Sequence, residues 1–236
     1  MVKIRHFLFI FHLLIIFGIS AEIPTILVSF DGMRYDYIEK TNTPNFDSLI
    51  KQGVRAKSLI PVFPSYTFPN HYSIATGCYA DKHRIIANTF YSKILNKVYS
   101  MVNRETVQDS SFYGAEPLWI TVQKNGLRSA SYFWVGSEVV GKTPSIYKNY
   151  DSGIDFTSRI DSVISWFNLP EEKRPDLALL YFNEPDHTGH KFGPESVDVK
   201  DIIVQNDQIL GYLLNQINTL SIKDDLNLII VIKIPL

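Results

Sequence analysis

The sequence predicts an α/β fold: a mainly parallel central sheet with helices on both of its faces. Two short, continuously apolar segments, residues 25–30 and 177–182, read as strands that are buried on both sides. A third such segment covers residues 226–232. Segments with apolar residues at helical spacing lie between them, and this alternation is typical of α/β domains. A length of 236 residues fits one large domain or two small ones, and one domain is the simplest interpretation.

Capping residues and glycines delimit the other predicted elements. Thr43, Pro44 and Gly53 mark the cap, the first residue and the stop of a helix over residues 44–52. Further helices are predicted over residues 68–76, 116–125, 157–168 and 199–217, and further strands over residues 54–60 and 129–134.

Composition and charge exclude some classes of function. The chain is 45% hydrophobic and 20% charged, with a formal net charge of −1, as in ordinary globular proteins. A surface that binds nucleic acid normally leaves a basic excess, so we expect no nucleic-acid partner. Cys78 is the only cysteine, so no intrachain disulfide can form, and we expect a buried, inert thiol.

The first twenty residues have the three parts of a secretory signal peptide. Basic Lys3 and Arg5 precede an apolar run over residues 7–19, and small residues follow it. We expect cleavage after Ser20; the alternative is an uncleaved anchor, for which a largely apolar run of thirteen residues is short. The sequence therefore predicts a signal peptide over residues 1–20 and a secreted or extracellular chain with no membrane span after cleavage.

The stretch FPSYTFPN, residues 63–70, places Thr67 between two prolines at the predicted start of a helix. One interpretation is structural, because threonine is a common helix N-cap. The other is chemical, because a helix N-terminus directs N–H groups toward one point and suits an anion such as phosphate. A hydroxyl at that point could act as a nucleophile.

Acidic residues follow two of the predicted strands where each strand ends. Asp31 follows the first, and Asp186 follows residues 177–182 after a short turn, with His190 four residues further on. In open α/β sheets the functional site lies beyond the carboxyl ends of the strands. Aspartate and histidine suit zinc, and a nearby Thr67 would complete a site in which a metal activates a hydroxyl.

Each of these residues also has an ordinary structural interpretation. Asp31 before glycine is frequent in turns, and His190 beside a glycine fits a loop histidine. Among the other histidines, His71 and His83 have weaker claims to a site, and we expect His187 to face solvent. The combination at equivalent strand ends favours the metal site.

Five blocks resemble the ectonucleotide pyrophosphatase/phosphodiesterase family of the alkaline phosphatase superfamily. They are ILVSFDGMRYDY, TPNFDSL, PVFPSYTFPNHYSIATG, LYFNEPDHTGHKFGP and LNLIIV. The segments KHRIIANTFY, ILNK and PLWITVQKNG are most similar to its shorter, membrane-anchored fourth and fifth members. The resemblance covers residues 24–231. It implies an alkaline-phosphatase-like fold, with residues 21–236 as the N-terminal portion of a type I phosphodiesterase/nucleotide pyrophosphatase catalytic domain.

The resemblance implies a two-zinc hydrolase of nucleotide phosphodiester and pyrophosphate bonds. Asp31 and Thr67 would ligate one zinc, and Thr67 would be the nucleophile that becomes nucleotidylated. Asp186 and His190 would ligate the second zinc, which activates water. Two metals that flank an in-line displacement stabilise the attacking and leaving oxygens together.

The resemblance also implies how a nucleotide or dinucleotide-type substrate would bind. Asn88 would donate a hydrogen bond to a phosphate oxygen. Phe68 and Trp134 would offer ring faces on which a base stacks.

The sequence departs from the family pattern near its end. After NLIIV the family continues with Ser-Asp-His-Gly-Met, whose aspartate and histidine complete the first zinc site, and a later histidine completes the second. Here the sequence reads IKIPL, so we expect a C-terminally truncated, incomplete fold with three metal ligands missing and impaired activity. Arg84 also replaces a glycine that is usual in the family.

Two alternatives remain. The chain is either an enzyme, as the resemblance implies, or a non-catalytic secreted fragment with a binding or regulatory role. A sulfatase or phosphatase of the same superfamily is disfavoured, because sulfatases need a cysteine or serine nucleophile in a different local motif than the one around Thr67.

Overall fold

The computed structural model describes residues 23–233, so the predicted signal peptide lies outside the described residues. The strands in this range are β1 (Thr25–Asp31), β2 (Thr89–Ser92), β3 (Lys97–Ser100), β4 (Ser129–Tyr132), β5 (Ile146–Lys148), β6 (Leu177–Phe182) and β7 (Asn227–Lys233). Five of them form a fully parallel sheet in the order β5-β4-β6-β1-β7, and β2 and β3 form a separate antiparallel hairpin. The parallel sheet confirms the predicted fold class.

The α-helices of the described range surround this sheet. They are α1 (Tyr37–Lys40), α2 (Pro44–Gln52), α3 (Thr67–Thr76), α4 (Ala80–His83), α5 (Arg104–Gln108), α6 (Leu118–Lys124), α7 (Phe156–Phe167), α8 (Asp186–Phe192) and α9 (Val197–Ile217). Short 3₁₀ turns cover Ser110–Phe112 and Lys223–Asp225. No helix among residues 23–233 is both long and apolar enough to cross a bilayer.

Alternate residues of β1 pack into two different core layers. Ile26, Val28 and Phe30 belong to a cluster that includes side chains of α2, α7 and α9. Leu27, together with Leu179 of β6, belongs to a second cluster that includes side chains of α3 and α6. Because a strand turns successive side chains to opposite faces, the sheet is covered by helices on both sides, as predicted.

Strands β1 and β6 are neighbours and lie in register. Val28 pairs with Leu180, and Phe30 pairs with Phe182. Parallel strands that end at the same level bring the segments after them to one edge of the sheet. Asp31 therefore lies beside the start of the turn that leads to Asp186.

The prediction of a strand over residues 54–60 is wrong. The segment contains no strand, and Val54 and Ile60 are 102% and 84% exposed. It lies instead against β7 and α2, along an apolar groove of about 390 Å³. β-branched residues form a strand only where a neighbouring strand accepts their backbone hydrogen bonds, and none does so here among the described residues.

Other differences concern element ends. Helix α3 begins at Thr67 itself, with Tyr66 as its N-cap, so the prediction that Thr67 is the cap is wrong by one residue. Strand β4 ends at Tyr132 because Phe133 adopts a left-handed backbone conformation, with φ of 70°. Cys78 is half-buried rather than buried.

Candidate active site

A cavity of about 500 Å³ lies at the carboxyl edge of β1 and β6. Six of the residues singled out in the sequence line it: Thr67, Phe68, Asn88, Trp134, Asp186 and His190. The seventh, Asp31, is fully buried at the end of β1. The structure thus brings the predicted residues together from five separate parts of the chain.

The loop that leads into Thr67 is held by the side chain of Asn70. Its Oδ1 accepts a hydrogen bond from the Val62 N–H, and its Nδ2 donates to the carbonyls of Pro64 and Tyr66. Asn70 is 3% exposed, so these bonds are shielded from water. One buried carboxamide therefore fixes the approach of the chain to the threonine.

His71 fixes the backbone of Thr67 from the other side. Its Nδ1–H donates to the Thr67 carbonyl at 2.8 Å, which leaves Nε2 to accept from the Ser29 hydroxyl at 2.8 Å. Ser29 lies on β1, so this relay ties the first turn of α3 to the central strand. His71 is fully buried and positions Thr67, a role that the sequence alone did not indicate.

Asn88 reaches the N-terminus of α3 from outside the helix. Its Oδ1 accepts the Phe68 N–H at 3.0 Å, which satisfies one of the unpaired donors of the first helical turn. With Oδ1 engaged, the Nδ2 group is the part of the carboxamide that remains to donate to a ligand. The donor role that the family resemblance implies for Asn88 stays a prediction.

Asp31 accepts two hydrogen bonds in the described structure. Oδ1 accepts the Gly32 N–H at 3.0 Å, and Oδ2 accepts the Tyr181 hydroxyl at 2.8 Å. Burial, and then the negative charge of Asp31, raise the pKa of Tyr181 well above its usual value. Tyr181 therefore stays protonated and keeps donating to the carboxylate.

The backbone of Gly32 touches the backbone of Asp186. A Cβ on Gly32 would lie 2.4 Å from the Asp186 Cα and N, and Gly32 has φ of +74°. Both facts require glycine, because a side chain would collide and the conformation is left-handed. This contact fixes the start of α8 against the end of β1.

Helix α8 carries Asp186 and His190 on the rim of the cavity. The His190 Nε2 lies 3.5 Å from Asp186 Oδ1, and the His190 side chain is 74% exposed. Glu184, which precedes the N-cap residue Pro185, accepts the Thr188 N–H in the first turn of the helix. His187 is exposed, as expected, but it belongs to α8 and also lines the cavity.

The donor types at this edge fit zinc, although their number is small. Carboxylate oxygens, a hydroxyl and an imidazole are ligands that zinc accepts in proteins. Within residues 23–233 no group of three or more histidine, cysteine, aspartate or glutamate side chains is arranged to hold a metal ion. The metal-binding roles predicted for Asp31, Thr67, Asp186 and His190 therefore stay predictions.

The aromatic residues around the cavity differ in what they offer a ligand. Trp134 is 1% exposed, and its Nε1–H donates to the His71 carbonyl at 3.1 Å. Its burial leaves little ring surface for a base. Phe68 is half-buried, and Tyr150, which was not singled out in the sequence, is 37% exposed and lines the same cavity.

A buried carboxylate supports the wall that contains Tyr150. Glu138 is 6% exposed; its Oε1 accepts the Tyr150 N–H at 2.8 Å, and its Oε2 forms an ion pair with Arg104. Burial lowers the pKa of Arg104 and raises the pKa of Tyr150. Sequence reasoning missed these three residues because no motif links positions so far apart in the chain.

His83 has a structural role in the described fold. It is fully buried, it accepts the Ile85 N–H at Nδ1, and its Nε2 contacts the Ser73 hydroxyl at 2.8 Å. Burial lowers its pKa, so the neutral form is favoured. This environment agrees with the sequence analysis, in which His83 was one of the weaker candidates for the functional site.

The sequence profile described as type I phosphodiesterase/nucleotide pyrophosphatase matches residues 25–231. The chain belongs to the type I phosphodiesterase/nucleotide pyrophosphatase family. This phosphodiesterase-family chain is 41% identical over 211 residues to a venom phosphodiesterase of Crotalus durissus collilineatus. It is 39% identical over 212 residues to human ectonucleotide pyrophosphatase/phosphodiesterase family member 1.

Solved structures of the family share the fold. Murine ectonucleotide pyrophosphatase/phosphodiesterase 5, as an inactive threonine-to-alanine variant in complex with AMP, superposes with a TM-score of 0.84 at 36% identity. The human protein of the same name superposes with a TM-score of 0.84 at 37% identity. The alkaline-phosphatase-like fold that was expected is therefore confirmed.

The match covers most of this phosphodiesterase-family chain but only part of each relative. The match with the Crotalus enzyme covers 88% of this chain and 25% of that enzyme. The match with the human family member covers 88% of this chain and 23% of that protein. For the murine structure the shares are 89% and 56%.

The contact between Gly32 and Asp186 can be tested with a matched pair of glycine variants. Gly141 has a similar φ of +78°, but a Cβ there would meet nothing within 4 Å. Gly141→Ala should cost about 1–2 kcal/mol of unfolding free energy from backbone strain alone. Gly32→Ala should cost about 1–3 kcal/mol more, because it adds the collision with Asp186. Urea unfolding followed by circular dichroism measures both, and equal costs would show that the contact is not tight.

Proposed function

We propose that the protein hydrolyses phosphodiester or pyrophosphate bonds of nucleotides, with Thr67 as the nucleophile. One observation carries the proposal: the first residue of α3 is a threonine that shares one cavity with Asn88 and Asp186, beside buried Asp31. Attack needs alignment, and the hydrogen bonds of Asn70 and His71 hold the backbone on both sides of that hydroxyl.

The reaction would proceed in two displacements at phosphorus. The Thr67 oxygen forms a bond to phosphorus, the leaving alkoxide or phosphate departs, and a nucleotidylated threonine results. Water then attacks phosphorus, the bond to the Thr67 oxygen breaks, and the nucleoside monophosphate leaves. The Nδ2 group of Asn88 would donate to a phosphate oxygen as charge develops on it.

Two zinc ions would be held at the carboxyl edge of the sheet, one by Asp31 and Thr67 and the other by Asp186 and His190. Bound zinc supplies Lewis acidity, which lowers the pKa of a hydroxyl or water and offsets charge on the phosphate. Because catalytic zinc normally has three protein ligands, residues 23–233 would account for only part of each coordination shell.

The substrate would be a nucleotide or dinucleotide-type small molecule. The bound AMP in the murine relative supports this class. Phe68 is the better candidate to stack on the base, because Trp134 is almost fully buried. The rim residue Tyr150 offers a second exposed ring along the same cavity.

We further propose that the protein acts outside the cell or in the secretory lumen. The names of the relatives, venom phosphodiesterases and ectonucleotide pyrophosphatase/phosphodiesterases, support this location for the family. The predicted leader over residues 1–20 would direct the chain there.

Thr67→Ala should reduce turnover of a nitrophenyl nucleotide ester at least about a thousandfold, because the attacking oxygen is lost. Alanine is a good helix former, so the unfolding free energy should change by less than about 1 kcal/mol. Thr67→Ser, which keeps a hydroxyl, is the matched control and should retain measurable turnover. Both variants are made in a chimera that joins residues 21–231 to the remaining catalytic region of the murine relative, and they are assayed beside the unchanged chimera. Substantial activity in the alanine variant would make Thr67 merely structural.

A polypeptide limited to residues 21–236 should show little or no phosphodiester hydrolysis in added zinc, because its identified donors number two for each metal. A chimera that joins residues 21–231 to the remaining catalytic region of the murine relative should be active and should bind stoichiometric zinc. Turnover and zinc content are measured on both proteins. Comparable turnover, with stoichiometric zinc in the shorter one, would show that two donors for each metal suffice.

Protein secreted from eukaryotic cells should begin at Ala21 or Glu22, because a signal peptidase cleaves after the small residue that follows the apolar run. N-terminal sequencing of the secreted material checks this. A sequence that starts at Met1 would instead identify an uncleaved segment.

A further inference from the structure

Arg84 has a backbone conformation that an arginine rarely adopts. It directly follows α4 with φ of 69°, in the left-handed region that favours glycine. Backbone strain of this kind persists only where the surrounding contacts impose it, and it is concentrated at functional sites. The conformation of Arg84 therefore points to a function for its side chain.

The side chain of Arg84 packs against Gly114. A Cβ on Gly114 would lie 3.2 Å from the Arg84 Cγ and 3.3 Å from its Nε, and it would collide with the Lys82 carbonyl oxygen. The Gly114 N–H also donates to the His83 carbonyl at 2.9 Å. The missing side chain of Gly114 thus lets the end of α4 touch this glycine and places the arginine side chain beside it.

A second cation, Lys142, reaches the same part of the backbone. Its Nζ donates to the carbonyl of Tyr113, the residue before Gly114, at 2.8 Å. Lys142 is half-buried, and burial, followed by the positive charge of Arg84, lowers the pKa of its ammonium group. The two cations are therefore close enough to repel each other, and the partial burial of Lys142 adds to the cost of its charge.

No carboxylate among residues 23–233 forms an ion pair with Arg84 or Lys142. Two unfavourable electrostatic contributions thus meet at one place, the partial desolvation of a lysine and the repulsion between like charges, and a bound anion would offset both. The acids that lie close in sequence already pair with other cations: Asp81 with Lys82, Glu116 with Lys124, and Glu138 with Arg104.

We infer that Arg84 and Lys142 form a surface binding site for a sulfate or phosphate group, separate from the cavity. Neither residue lines the cavity at the carboxyl edge of β1 and β6, so the inference does not depend on the proposed function. The planar guanidinium of arginine matches two oxygens of a tetrahedral anion, and lysine supplies a second, compact charge. The group is either a free ion or a sulfate ester of a polysaccharide, which present the same oxygens.

The test is the sulfate dependence of urea unfolding, measured on the full chain in metal-free buffer with sodium chloride of equal ionic strength as the reference. A specific site raises the unfolding free energy with the logarithm of the sulfate concentration, whereas general exclusion of sulfate from the surface gives a linear rise. Arg84→Gly and Lys142→Gln should each weaken sulfate binding at least about tenfold, because each removes a charge-assisted contact. Lys173→Gln removes a charge from an exposed turn and should leave the affinity unchanged.

Arg84→Gly also separates a binding role from a structural one. Glycine adopts φ of 69° without strain, so this variant should have an unchanged or higher urea midpoint in the absence of sulfate, although it binds sulfate more weakly. A lower midpoint together with an unchanged sulfate affinity would show that Arg84 serves packing alone, and it would overturn the inference.

Calorimetric titration with a heparin tetrasaccharide distinguishes the two sources of the anion. Binding that is tighter than that of sulfate and is weakened by both variants would support the site and identify a sulfated polysaccharide as its ligand. Sulfate binding without tighter tetrasaccharide binding would support the site and identify the free ion. A linear sulfate dependence in the unchanged protein, or the same sulfate affinity in it and in both variants, would overturn the inference.

Discussion

The candidate site depends on one backbone contact, the approach of Gly32 to Asp186 at the carboxyl edge of the sheet. The parallel register of β1 with β6 brings the two segments to the same level, and the missing side chain of Gly32 lets them touch. Asp31 and Asp186 therefore sit at fixed positions relative to each other before any ligand binds. The side chain of Asn206 on α9 donates to the Glu184 carbonyl and so also helps to hold the start of α8.

The threonine is held by a different kind of interaction. Three side chains form hydrogen bonds with the backbone around Thr67. Asn70 bonds to the loop before it, His71 donates to the Thr67 carbonyl, and Asn88 accepts the N–H of the next residue. All three bonds act on the backbone, so they hold the chain on both sides of the Thr67 hydroxyl. This arrangement suits a nucleophile, because hydrogen bonds from buried groups keep their geometry better than exposed ones.

Charge in this region is distributed unevenly between the cavity and its supporting layer. Carboxylates lie at and beside the cavity, and the buried cation Arg159 lies one layer behind it, held by carbonyls and rings.

Much of the fold could be predicted from the sequence. Continuous apolar runs identified β1 to within one residue and β6 to the residue, because burial on both faces leaves an unambiguous pattern. Pro44 fixed the start of α2, and Gly77 fixed the end of α3. The strand predicted over residues 54–60 failed because β-propensity carries no information about whether a partner strand is available.

The sequence by itself determined which chemical groups the site contains: a threonine at a helix start, acids after two buried strands, and a histidine one helical turn beyond the second acid. Only the tertiary structure decided which of these side chains are held in a fixed orientation, and which other residues hold them. The bond from Tyr181 to Asp31, the cap that Asn88 places on α3, and the position of Arg159 behind Phe133 all join residues at least 20 positions apart. Local periodicity cannot encode such pairings, because they arise only when the register of β1 with β6 brings distant segments to one edge.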